Sequence, residues 1–121
     1  MKSDTFHMSM LFDFYGELLT DNQKKLFNLY YNEDMSLTEL SEIAGITRQG
    51  VRDAIVRAET ALRDTEDRLG LVKRYANIQR QTEEIARAAS AIVAANAAGP
   101  RSREIAKQAD LILQTAAKLS E

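Results

Sequence analysis

The stretch SLTELSEIAGITRQGVRDAIVRAETAL, Ser36 to Leu62, reads as two helices joined by a tight glycine turn, and this reading decides the fold. Leu37, Leu40, Ile43 and Ala44 fall on one face of a first helix, Gly45 permits the positive φ of the bend, and Ile46 is placed to plug the corner. Val51, Ile55, Ala58 and Leu62 face inward from the second helix, with Thr47 suited to cap its start. Arg48, Gln49 and Arg52 are left pointing outward near that start. A helix-turn-helix keeps its groove-contacting side chains there.

Working back toward the N-terminus, Met8, Leu11, Phe12, Tyr15, Leu18 and Leu19 follow helical spacing and predict one helix from Phe6 to Leu19. Thr20-Asp21-Asn22-Gln23 has the form of a capping box and opens a second helix dense in Leu26, Phe27, Leu29, Tyr30 and Tyr31. Asn32-Glu33-Asp34 interrupts that pattern, and Ser36-Leu37-Thr38-Glu39 offers another capping box. Three helices therefore precede the glycine turn.

Working forward, the composition shifts after Leu62 to Ala, Gln, Arg and Glu, with no aromatic residue beyond Tyr75. Leu71, Tyr75, Ile78, Thr82, Ile85, Ala89 and Ile92 alternate at spacings of four and three, as coiled-coil seam positions do. Gly99-Pro100 stops this helix, and Ile105, Ala109, Ile112, Ala116 and Leu119 resume the alternation. The expected organisation is all-α: a helix-turn-helix domain over residues 1–70, then a long C-terminal helical hairpin or coiled coil over 71–121. Few large side chains line that hairpin, so it is expected to pack on the N-terminal helices or to pair two chains into a homodimer.

Composition narrows the function classes. With 121 residues, 45% of them hydrophobic, the chain has enough apolar content for one ordinary core. It has no cysteine, which removes disulfides and thiolate metal sites and suits a reducing cytoplasm. No apolar run approaches a membrane span, and MKSDTFHMSM lacks the order of a signal peptide, so a soluble cytoplasmic protein without membrane contact is expected. Sixteen Lys and Arg against eighteen Asp and Glu give a net charge of −2, unlike a strong nonspecific nucleic-acid binder. Residues 36–68 hold five basic and seven acidic groups, whereas 69–121 hold eight and five. Phosphate affinity would have to come from a local cluster, a dimer or the basic C-terminal third.

From about Met10 to Tyr75 the sequence resembles the YlxM family of small bacterial helix-turn-helix proteins. The pieces that carry this are Tyr15, Leu18-Leu19-Thr20 ahead of Gln23, Leu29-Tyr30-Tyr31, Ser36-Leu37, and Thr47-Arg48-Gln49-Gly50-Val51 with Asp53, Ile55, Arg57 and Glu59. Glu39 to Ala58 also resembles, more loosely, the promoter-reading region 4 of bacterial sigma factors. The resemblance implies an all-helical fold and a link to the signal recognition particle pathway, beside whose genes the family is generally encoded. Departures lie at Gly50, where Ala is more usual, at Arg52, where an aromatic is, and in the Ala-rich lengthening after residue 76.

Arg48, Gln49 and Arg52 have the chemistry to donate to guanine or adenine edges, with Ser36, Thr38, Thr47 and the backbone N–H groups at two helix starts gripping phosphate. The plain alternative is a solvated helix face, since Asp53 and Glu59 sit among the arginines. Arg57 is expected to pair with Asp53, four residues earlier. Lys73, Arg74, Arg80, Arg87, Arg101, Arg103 and Lys107 would either track a phosphate backbone or flank a coiled coil; alternation with Glu83, Glu84 and Glu104 favours the flank. Phe12, Phe14, Tyr30 and Tyr31 read as core rather than as base-stacking platforms. The single histidine, His7, lies near the N-terminus and no Gly-rich phosphate loop is present, so no catalytic role, metal or cofactor is expected. What remains is a helix-turn-helix regulator of duplex DNA or structured RNA, for which the resemblance implies signal recognition particle components as candidate partners. The competing class is a protein-interaction adaptor using the same core as scaffold.

Overall fold

The computed structural model describes residues 2 and 4–121, all helical apart from short connections. In chain order the helices are α1 (Thr5–Tyr15), a 3₁₀ turn (Gly16–Leu18), α2 (Asp21–Tyr31), α3 (Leu37–Ala44), α4 (Arg48–Leu69), α5 (Leu71–Ala98) and α6 (Arg103–Leu119). They form two compact units, Met1–Val72 and Lys73–Glu121.

In the first unit, α1 to α4 close over Met8, Leu11, Leu26, Phe27, Leu40, Val51, Ile55, Ala58 and Leu62, all buried. Local chemistry sets each helix start. The capping boxes at Thr20 and Ser36 are both complete, and Thr47 Oγ1 accepts from Gly50 N at 2.9 Å. Phe27 carries the aromatic layer, stacked on Phe12 with ring centroids 5.0 Å apart and on Tyr31 at 4.5 Å. Phe14, expected in this core, is instead half-exposed beside the Tyr15 ring.

The first helix is shorter than its apolar spacing implies. It ends at Tyr15 and tightens into the 3₁₀ turn, which leaves Leu18 71% exposed while Leu19 is buried. A 3₁₀ turn advances about 120° per residue against about 100° in an α-helix, so positions that would share a face separate. Ile43 and Ile46 are a second correction: both are about half exposed, and Ile46 does not plug the corner. The buried face of the two-turn α3 is centred on Leu40 and leans toward Leu37 and Ala44, which rotates Ile43 out. Gly45, at φ 69°, then ends the helix, and Gly45 N and Ile46 N both donate to Ser41 O, leaving the Ile46 side chain outside.

The α4–α5 junction has no local side-chain cap, because Gly70 occupies it at φ 64°. Distant groups cap it instead. Tyr15 Oη accepts from Leu71 N at 3.1 Å and donates to Glu66 Oε1 at 2.5 Å, and that carboxylate oxygen accepts from Val72 N at 3.1 Å. Burial, then the Glu66 hydrogen bond, raises the Tyr15 hydroxyl above its usual pKa of 10.0.

The second unit is an antiparallel helix pair that turns at Gly99-Pro100, as the sequence implies. Asn96 braces the turn: its amide donates to Ser102 O at 2.9 Å while its carbonyl accepts from Ser102 N at 2.8 Å. Near the open end, Gln79 Nε2 donates to Ser120 O at 3.0 Å. The seam expected from the four-three alternation is only half enclosed. Thr82, Ala89, Ala109 and Ala116 are buried, whereas Ile78, Ile85, Ile92, Ile105, Ile112 and Leu119 stay partly open. Small side chains form the buried row, and the neighbouring heptad row turns away from that contact.

Candidate nucleic-acid interface

The site is built on the α3–α4 corner. Because Val51, Ile55, Ala58 and Leu62 anchor one side of α4 in the core, its other side must face solvent. Arg48, Gln49 and Arg52 are all exposed on its first turns, and Val56 is partly exposed one turn further on. Neither Arg48 nor Arg52 has a hydrogen-bond or ion-pair partner among the described residues.

Gln49 is engaged. Its Nε2 donates to Asp53 Oδ1 at 2.9 Å, so Asp53 orients Gln49 rather than holding Arg57. This replaces the expected Arg57–Asp53 pair, and Arg57 projects from another side of α4, about 80° round from Gln49. Glu59 is a second revision, since it is buried and accepts a hydrogen bond from the Tyr31 hydroxyl. The sequence pattern counted it among the exposed charges beside the arginines. Without it, residues 48–59 expose three arginines against Asp53 alone, so the local charge is more positive than the module's total.

Ser36, Thr38 and Thr47 are exposed, but their hydroxyls differ in availability. Ser36 Oγ accepts from Glu39 N at 3.1 Å and Thr47 Oγ1 from Gly50 N, so both serve as caps while each hydroxyl hydrogen stays free to donate outward. Thr38 contributes its backbone carbonyl, which accepts from Ser41 Oγ at 2.6 Å. Exposed Ile43 and Ile46 stand at the same corner, an apolar element that periodicity assigned to the core.

Two of the basic side chains of the second unit are engaged locally. The Arg80 guanidinium donates to the Asn77 side chain, and Arg101 Nε donates to Ala97 O at 3.3 Å. Both are spent within their own helix or turn.

The comparisons agree with this architecture. Residues 2–96 match the model of a family described as "Putative helix-turn-helix protein, YlxM / p13 like". A UPF0122 protein of Caldanaerobacter subterraneus subsp. tengcongensis is 49% identical over 85 residues, covering 70% of this chain and 73% of that protein. One from Thermoanaerobacter sp. is 48% identical with the same coverage, and one from Listeria welshimeri is 40% identical, covering 70% and 77%. The matched span includes the whole α3–α4 corner and stops at residue 96, so α6 lies beyond it. Among the described residues no helix is long and apolar enough to cross a membrane.

Proposed function

The chain belongs to the UPF0122 family, the YlxM / p13-like helix-turn-helix proteins, and we propose that it is a non-enzymatic regulator that binds duplex nucleic acid through the α3–α4 corner. The observation that carries this reading is the pair of exposed guanidiniums of Arg48 and Arg52 on the first turns of α4, which have no partner among the described residues. A guanidinium left without a protein partner at this position suits bidentate contact with a guanine edge or a phosphate. Gln49 joins them by exchanging its Asp53 bond for a base edge, and Ser36, Thr38 and Thr47 contact the backbone on either side. Resemblance to the YlxM proteins supports a place in the signal recognition particle pathway in the cytoplasm, with components of that pathway as partners. Pairing of two chains through the C-terminal helices would double the contacts and offset the small local charge.

The test is a titration of labelled duplex DNA and of structured RNA over a range of salt. The chain carrying Arg48→Ala and Arg52→Ala together should lose at least tenfold in affinity with an unchanged circular dichroism spectrum. Undiminished binding would show that the assigned face is wrong. A second reading, a protein-binding adaptor, is favoured by the exposed Ile43 and Ile46 at the same corner. Salt separates the two, because a contact made with several phosphates weakens steeply as salt rises and an apolar one barely responds.

A further inference from the structure

The α5–α6 pair resembles half of a four-helix bundle. Its internal contact is made by a narrow row of small residues, while Ile78, Ile85 and Ile92 of α5 and Ile105, Ile112 and Leu119 of α6 remain between 36% and 57% exposed. Helical rotation turns both aliphatic rows to the same side of the pair, about 50° from the line of contact. Ile92 and Ile105 accordingly line one depression, with Ala95 and Pro100. The register fixed by the Asn96–Ser102 and Gln79–Ser120 bonds arranges the six side chains in layers: Ile92 with Ile105, Ile85 with Ile112, Ile78 with Leu119.

Little charge lies on this side. The positions flanking the three layers are Gln81, Ala88 and Ala95 on α5 and Gln108 and Thr115 on α6, with Arg74 and Glu104 only toward the two ends of the pair. Glu83 lies on the opposite side of the pair, where it lines a groove with Gln79 and Leu113.

We propose that this aliphatic face docks onto the same face of a second copy of the chain, closing a four-helix bundle. This deepens the dimer reading above and is independent of the nucleic-acid reading. A two-fold contact sets one surface against itself, with like residues facing near the axis; layers whose middle carries no charge suit such a self-partner, and a strongly basic or acidic partner would find little counter-charge there. Seventeen residues of α6 span about 25 Å and two helices side by side about 20 Å, a flat footprint of about 500 Å² before side-chain relief, the scale of a small interface against ~800 Å² per partner in a standard one. Five of the six side chains are β-branched Ile, stiff residues that pack in defined layers.

Sedimentation of the full chain at micromolar concentration should give twice the 13.6 kDa of one copy. Ile85→Glu with Ile112→Glu should halve that mass at unchanged helicity. Because those changes could unfold the pair, a second measurement uses the absence of natural cysteine. Ile85→Cys should be joined into a covalent dimer by a bismaleimide, and Ala94→Cys, on the outer side of α5, should not. A monomeric wild-type chain overturns the proposal, as does a dimer that survives both glutamates or crosslinks equally from Cys at 94. A monomer whose Cys at 85 resists alkylation overturns it too, since the chain then covers the face itself. The Arg48→Ala, Arg52→Ala chain should keep the dimer mass, so the two proposals fail separately.

Discussion

Asp53 sits among the arginines of α4 and accepts from Gln49, so it opposes phosphate by charge and occupies a side chain the proposed contact needs. Replacing it by Asn removes the charge and weakens the hold on Gln49. Asp53→Asn should therefore tighten duplex binding about two- to fivefold, the size of one exposed charge interaction. Fluorescence anisotropy at fixed salt measures it; weaker binding would mean that the Asp53 bond positions Gln49 for contact. Glu59 shows where residue-level reading from sequence stops. It lies four residues after Ile55 and one after Ala58, so it can turn toward the core, but its partner Tyr31 is 28 residues away in sequence. Periodicity reports the direction of a side chain and does not report the hydroxyl waiting there. Ile46 errs the other way: apolar character suggested burial, and the Gly45 turn placed it outside.

At the scale of elements, the helix starts were the most legible features because capping is local. Thr20, Ser36 and Thr47 each bond to a backbone N–H three residues on, and all three caps are present. The start of α5 was illegible for the converse reason. Its caps come from Tyr15, 56 residues before Leu71, and from Glu66 across the Gly70 turn. That arrangement has a pH signature. The folded state holds the Tyr15 hydroxyl neutral, with its pKa raised above 10.0, so the stabilisation is complete below about pH 10 and lost as pH rises through the raised value. Tyr15→Phe should cost about 1–3 kcal/mol at neutral pH, the cost of leaving buried groups unpaired. Urea denaturation of both chains should show that gap closing as pH climbs above about 10. A gap constant with pH would mean that the hydroxyl contributes little to the junction.

At the scale of the whole molecule, the helical class and the turn at Gly99-Pro100 followed from pattern alone, since 3.6-residue periodicity and Gly-Pro punctuation are strong signals. The seam of the C-terminal pair followed only halfway. Heptad spacing names two rows that can face a partner, and a two-helix hairpin built on alanine encloses one of them. The first unit is complete in its core at Val72, the last buried residue of that cluster. A chain cut after Arg74 should keep a cooperative unfolding transition and the helical signal of α1–α4, read by circular dichroism against urea. A broad, non-cooperative loss of signal would mean that the core depends on residues beyond 74. The same fragment should sediment as a monomer.

The closure of that core at Val72 also sets an order in time. Synthesis runs from the N-terminus, and domains fold as units while it proceeds. Residues 1–72 are polymerised before α6, so the α3–α4 corner needs nothing from α6 or from a second copy to close. The proposed association through α5 and α6 would come later and depend on how many finished copies are present. On the proposed reading, completion of the helix-turn-helix would be an event of translation, and pairing an event of abundance.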